Sequence, residues 1–261
     1  MLLEQRLEFI DSLPSLPVLT QRPTPAIRAF AADSEHDINK PTASVMPDTI
    51  DAFMPGISKQ IIDDVNLCKL VMQNAATKLF PDDAQLFEWY KYYVNGLSKL
   101  GWVTQSKDIQ EVTIKRVGLT MDQVALEVAA GLIGANAASV LANVAQKAVA
   151  AVQNNPGAIQ IFDRNRKLGA QAKFDIAPVW LDNSGHPNMI LNCISLDARE
   201  STRGILFWKS TRQSTTIKTG AVRTYLDSKV FSGLRDNLYS KYNEAGKKFI
   251  EDLPDFNDSE S

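Results

Sequence analysis

The chain is poorest in histidine and cysteine, with two of each among 261 residues. Cys68 and Cys193 stand too far apart for a metal-cluster spacing, and two cysteines make no disulfide framework. The histidines are His36, in a polar loop, and His186, in a Gly-Pro turn. Both read as solvated turn residues, so no metal is expected. Excess charge of one sign is also missing. The formal net charge of −2 gives no basic field for nucleic acid. No apolar run reaches the roughly 18 residues a spanning helix needs. The start, MLLEQRLEFIDSLPSL, puts Glu4, Arg6 and Glu8 where a signal peptide needs its apolar stretch. The reading is therefore synthesis in the cytoplasm as a soluble chain without a signal peptide. Walker A, GxGxxG, HExxH, CxxC and GxSxG are absent.

What remains is ordinary globular material, 44% apolar and 22% charged, enough for one large domain or two small ones. Residues 1–12 suit a short amphipathic helix with Leu3, Leu7 and Ile10 at helical spacing. Seven prolines between 13 and 56 rule out long regular elements, so residues 1–56 read as a Pro-rich extended arm. The single domain is then 57–261. A helix opens at Ser58, with Ile62, Val65, Cys68 and Met72 on its apolar stripe, and ends near Pro81. A second helix spans about 83–100, with an aromatic cluster of Phe87, Trp89, Tyr90 and Tyr93 that reads as core, and stops at Gly101.

Residues 110–117 look like a strand. Thr120 caps a helix, and two Ala/Gly-rich helical stretches follow at about 121–133 and 137–153. Their polar interruptions argue against membrane spanning. Strands are expected at 158–162, 171–181, 188–196, 204–208 and 215–222, followed by a helix from about Tyr225 to Phe249 and an acidic tail. The turn DNSGHPN should join 171–181 to 188–196 as an antiparallel hairpin. The sum is an α+β fold, an antiparallel sheet flanked by helix layers.

The run NMILNCISL carries the chain's most suggestive residue. Flanked by turn residues and charges, it suits a strand covered on both faces, with Met189, Leu191 and Cys193 sharing one of them. Free cysteine is commonly inert core filling. No cation adjoins Cys193 in sequence to activate it, and a pairing with His186 across turn and strand is expected to diverge. Cys68 reads as structural.

Four pieces resemble a known family: EVTIKRV before the helix pair, IQIFDRNRK, FDIAPVWLDNSGHPNMILNCISL, and RGILFWKS before the last strand and helix. Together they are similar to the Erwinia virulence factor Evf family and, more distantly, to the Cyt cytolytic toxins. The likeness covers roughly 57–250. It implies a cytolysin-like fold and an S-palmitoylated, lipid-binding virulence factor acting at host membranes. A covalently bound palmitate or similar fatty acid is expected on Cys193 as a thioester. Met189, Leu191, Phe174 and Ile176 are the expected lipid pocket. The implied partner is lipid or membrane, with neither nucleic acid nor metal, and with room for oligomers on the membrane after release. Two alternatives stay open: a pore-forming, membrane-permeabilising cytolysin, and an acyltransferase or thioesterase-like enzyme in which Cys193 is a catalytic nucleophile. An interaction protein with an inert core cysteine is the plain reading beside them.

Overall fold

The computed structural model describes residues 1–16, 36–46, 49–114, 117–120, 123–127, 135–154, 175–195 and 215–242. Five longer helices and six strands lie in these segments: α1 (Leu3–Ser12), β1 (Thr42–Met46), β2 (Thr49–Phe53), α2 (Lys59–Leu79), α3 (Leu86–Lys99), β3 (Trp102–Ile114), α4 (Ala135–Gln153), β4 (Asp175–Leu181), β5 (Pro187–Ser195), β6 (Thr215–Leu226) and α5 (Ser228–Tyr242). The expected strands at 158–162 and 204–208, and the tail, lie outside the described residues.

The strands form one sheet in the order β1-β2-β4-β5-β6-β3. Four of the five pairings are antiparallel, and β2–β4 is parallel. With helices on its faces, this is the α+β architecture expected. The arm reading fails at 42–53. That stretch is a hairpin, with Met46 opposite Thr49, built into the sheet beside β4. Prolines there limit strand length without preventing strands, and TIDAF between them is buried along its whole length.

Local signals set the helix ends. The Ser58 hydroxyl accepts from the Ile61 amide at 3.4 Å, and Phe80, ahead of Pro81, ends α2. Asp82 takes the Ala84 amide at 2.9 Å, which starts a single 3₁₀ turn (Asp83–Gln85) before α3. Gly101, at φ +98°, turns the chain from α3 straight into β3, which begins eight residues ahead of the expected strand. The last helix starts later than expected, because β6 continues through Leu226 and Asp227 caps α5 instead.

The helix hairpin α2–α3 covers one face of the sheet and makes the main core with it. Met46, Phe53, Ala177, Val179, Met189, Leu191, Cys193, Val222 and Leu226 point into that core. Ile50, Ala52, Ile176, Ile190 and Ile194 are buried outside it, on the opposite face, where α4 packs on β1 and β2 through Val144, Ala145 and Val149. The N-terminal segment straps the helix layer. Arg6 donates to the carbonyls of Ser98 and Lys99 at the end of α3, and Lys241 of α5 donates to Ile10 at the end of α1. Both cations sit where helix carbonyls lack partners. Among the described residues no helix is long and apolar enough to cross a membrane.

Candidate functional site

β5 is buried on both faces from Pro187 to Ile194, as its apolar run requires. Its alternation places Met189, Leu191 and Cys193 under α2–α3, as expected. Cys193 is 4% exposed and sits opposite Gly220 of β6, a position with no side chain. Tyr90 of α3 lies above this row, and its hydroxyl donates to the Leu191 carbonyl at 2.9 Å. Burial pushes the Tyr90 phenol well above its usual range, with Cys193 and Asp175 as further electrostatic neighbours. Cys68 is fully buried in α2, and burial likewise pushes its thiol up.

The expected pocket divides. Met189 and Leu191 join Cys193, but Ile176 does not. Val179 pairs with Met189, so even-numbered β4 residues face α4. A hairpin partner shares the face of the residue directly across from it, and that parity puts Ile176 beside Asn192. Phe174 lies outside the described residues. His186 sits half-exposed in the β4–β5 turn and stacks obliquely on Tyr225, at the far end of β5 from Cys193, so the two do not pair. The His36 ring, by contrast, is bound to the Ile57 carbonyl at 2.6 Å instead of being solvated.

A break in the β4–β5 ladder shapes the site. The pairing runs Leu181–Pro187, Trp180–Asn188, Val179–Met189 and stops at Pro178. Proline has no N–H to give to a neighbouring strand, and in a central strand it interrupts the ladder. Side chains take over beyond it. The Asn192 amide N–H donates to the Asp175 carboxyl at 3.1 Å, and the Asn192 side chain donates to the Ile176 carbonyl at 3.1 Å. Continuing the register past the break sets Asp175 across from Cys193. Thr49, Asp175, Cys193 and Gly220 therefore form one row across the helix-facing side of the sheet.

Beside that row lies a buried ionic cluster. Lys69 of α2 pairs with Asp51 of β2, both fully buried. Asp175, 7% exposed, faces the same interior. Burial lifts its pKa to about 7, Lys69 opposing and Asp51 reinforcing. Asp51 is also raised by burial, against the pull of Lys69. Two carboxyls thus face one ammonium in a dry setting, Asp51 bonded to it and Asp175 two register positions along on the neighbouring strand, where both cannot easily ionise. Tyr93 of α3 adds a buried hydroxyl with no hydrogen-bond partner, and Asp51 Oδ2 lacks one too.

Sequence reasoning missed this cluster, although Lys69 gave a signal. It falls at the spacing of Ile62, Val65, Met72 and Ala76, the core seam of α2. A lysine on such a seam calls for a buried partner. Asp175 gave no signal, since alternation places it opposite apolar Ile176, as if on a wet face. The sheet is covered on both sides, so alternation there carries no such information.

The chain is thus an α+β protein whose six described strands form one sheet sandwiched between helices, with a thiol and a buried carboxyl on one interior row. Among solved structures it is similar to one titled "Structure of the Evf virulence factor". The TM-score is 0.38 and the identity 11%, over 95% of this chain and 88% of that chain, a distant structural likeness. No protein-family model matches the sequence, and no curated protein does.

Proposed function

We propose that this protein is a lipid-binding factor carrying one fatty acyl chain in thioester linkage on Cys193, and that it acts in virulence at host membranes. The observation that carries the reading is the setting of Cys193. Its thiol is buried on one face with Leu191 and Met189, beneath the α2–α3 helix pair, opposite a residue without a side chain. Each CH₂ of an acyl chain packed there contributes about 0.8 kcal/mol, so the lipid would serve as part of the core. A single chain turned outward gives only weak, reversible membrane attachment, which suits a factor that moves between the two. The virulence role itself is carried over from the sequence resemblance.

Attachment is a simple transfer between thioesters. The Cys193 sulfur bonds to the acyl carbonyl of a carrier thioester, the carrier's sulfur–acyl bond breaks, and the carrier thiol departs with the proton Cys193 gave up. Nothing is oxidised or reduced. Burial makes the thiol a poor nucleophile, so the helix pair must part for the reaction and close over the product.

Intact mass of the protein made in a bacterial host tests the proposal, beside Cys193→Ser and Cys68→Ser, before and after hydroxylamine. One fatty-acyl mass excess is expected on wild type and Cys68→Ser, removed by hydroxylamine and missing from Cys193→Ser. An unmodified wild-type mass overturns the proposal. Turnover of the adduct with added acyl acceptors would replace it with an acyl-transfer enzyme.

A further inference from the structure

We propose that Asp51, Lys69 and Asp175 form a proton-operated latch between the α2–α3 hairpin and the sheet, closed while the two carboxyls hold one proton between them and loosened when both ionise.

The latch spans the layers. Asp51 and Asp175 come from neighbouring strands, with Thr49 of β2 paired to Asp175 of β4, and Lys69 descends from α2 to pair with Asp51, its charge also felt at Asp175. Among the described residues, groups face Asp175 from several elements packed on that side. Lys69 comes from α2 and Asp51 from β2. Tyr90 and Tyr93 come from α3, and both phenols are held neutral by burial. Cys193 and Asn192 come from β5. On the other side of the sheet, Val144, Ala145 and Val149 are the buried α4 residues among those whose side chains are described, and they carry no charge. Among the described residues, one cation thus faces two acids. The first acid is neutralised by Lys69. The second stays comfortable only as the neutral acid, or by letting water in.

Water enters when the hairpin lifts. The closed state holds the proton on Asp175 up to about pH 7, whereas an exposed aspartate releases it near 3.8. Closure is therefore fully favoured below about pH 4, weakens as the pH climbs towards 7, and levels off above it. The opening equilibrium should rise on the order of 80-fold between about pH 5 and pH 8. Lifting would also uncover the Leu191–Cys193 row. The latch itself stands whether or not Cys193 is acylated.

Native-state hydrogen exchange on the full chain tests it, with each amide's rate divided by its intrinsic chemical rate at that pH. Amides of α2 and α3 are expected to lose protection by that factor between pH 5 and pH 8, relative to those of the β3–β6 ladder. Asp175→Asn, permanently neutral, should remove the pH response, and Asp51→Asn, which frees Lys69 to offset the Asp175 charge, should shrink it. A wild-type protein whose α2–α3 protection does not change with pH overturns the proposal, and that arm needs neither variant to fold. So does a response that survives in Asp175→Asn, one left undiminished in Asp51→Asn, or one spread evenly over the whole sheet.

Discussion

Gly96→Ala is the most informative change to the helix layer, because two opposing terms of known size meet there. Gly96 lies in α3 where α3 touches α2. A Cβ placed on it would fall 1.9 Å from Met72 Cε and 2.7 Å from Met72 Sδ. Carbon atoms in contact rest about 3.5–4 Å apart, so the methionine tip must retreat by roughly 2 Å. Met72 is fully buried, and its surroundings are the main core. Methionine is the most adaptable core side chain, but a filled core leaves it few places to go. Overpacking of this kind costs about 1–3 kcal/mol. Against it stands the gain of about 1 kcal/mol for alanine over glycine inside a helix. The net expectation is a loss of about 1 kcal/mol, read as a lower urea midpoint at unchanged m-value. Met72→Ala alone should cost about 2–5 kcal/mol through the cavity it leaves. In the double variant the new methyl partly fills that cavity, so the combined loss should fall short of the sum by about 1 kcal/mol or more. A Gly96→Ala protein stabilised by the whole propensity gain, with an additive double variant, would refute the close approach of the two helices.

Two further outcomes follow from the α2–α5 contact and the start of α5. Asp64 is buried, and Arg235 grips it through two hydrogen bonds of 3.1 and 2.6 Å, with Tyr239 as a third donor. Arg235→Ala leaves that buried carboxylate only the neutral donors Tyr239 and Gln60 and should cost about 2–4 kcal/mol, whereas Asp64→Asn costs less because the half-exposed guanidinium can reach water; urea melts giving the reverse order would count against the buried clamp. Asp227 accepts from the amides of Lys229 and Val230 at 3.0 and 3.2 Å, so Asp227→Ala should lower stability by about 1 kcal/mol, with hydrogen-exchange protection lost first in the opening turn of α5.

Much of the frame was legible because short-range rules govern it. Ser58, Pro81 and Gly101 mark helix ends through capping, a missing N–H and a left-handed φ, and each acts within a few residues. The β4–β5 hairpin and the facing of Met189, Leu191 and Cys193 followed from alternation around a recognisable turn. Long-range pairing was not legible. Nothing local in TIDAF says that it will lie parallel to β4, and proline density pointed the other way. Nor did WVTQSKDI, with its central polar residues, announce a strand, since β3 owes its length to twelve residues of pairing partner in β6. Within the site, the cysteine row could be read from one strand. The carboxyl row could not, because Asp51, Lys69 and Asp175 meet only after three distant segments pack. Ile176 was misplaced for a related reason: in a strand apolar on both sides, hydrophobicity does not say which side is which.

The strand order has a consequence for how the chain folds as it leaves the ribosome. Apart from the two hairpins β1–β2 and β4–β5, each pairing joins segments far apart: Thr49 with Asp175, Trp102 with Leu226, Asn188 with Tyr225. A topology so rich in non-local contacts folds slowly, because loops must close before any contact compensates for the lost chain entropy. The N-terminal half emerges with β3 unpaired and β2 paired only with β1, and with the sheet-facing seam of α2 uncovered. Such intermediates are prone to associate through open strand edges. Native sheet closes only once the last strand is synthesised, so a stalled or truncated nascent chain would present an exposed template for aggregation long before it could present a finished protein.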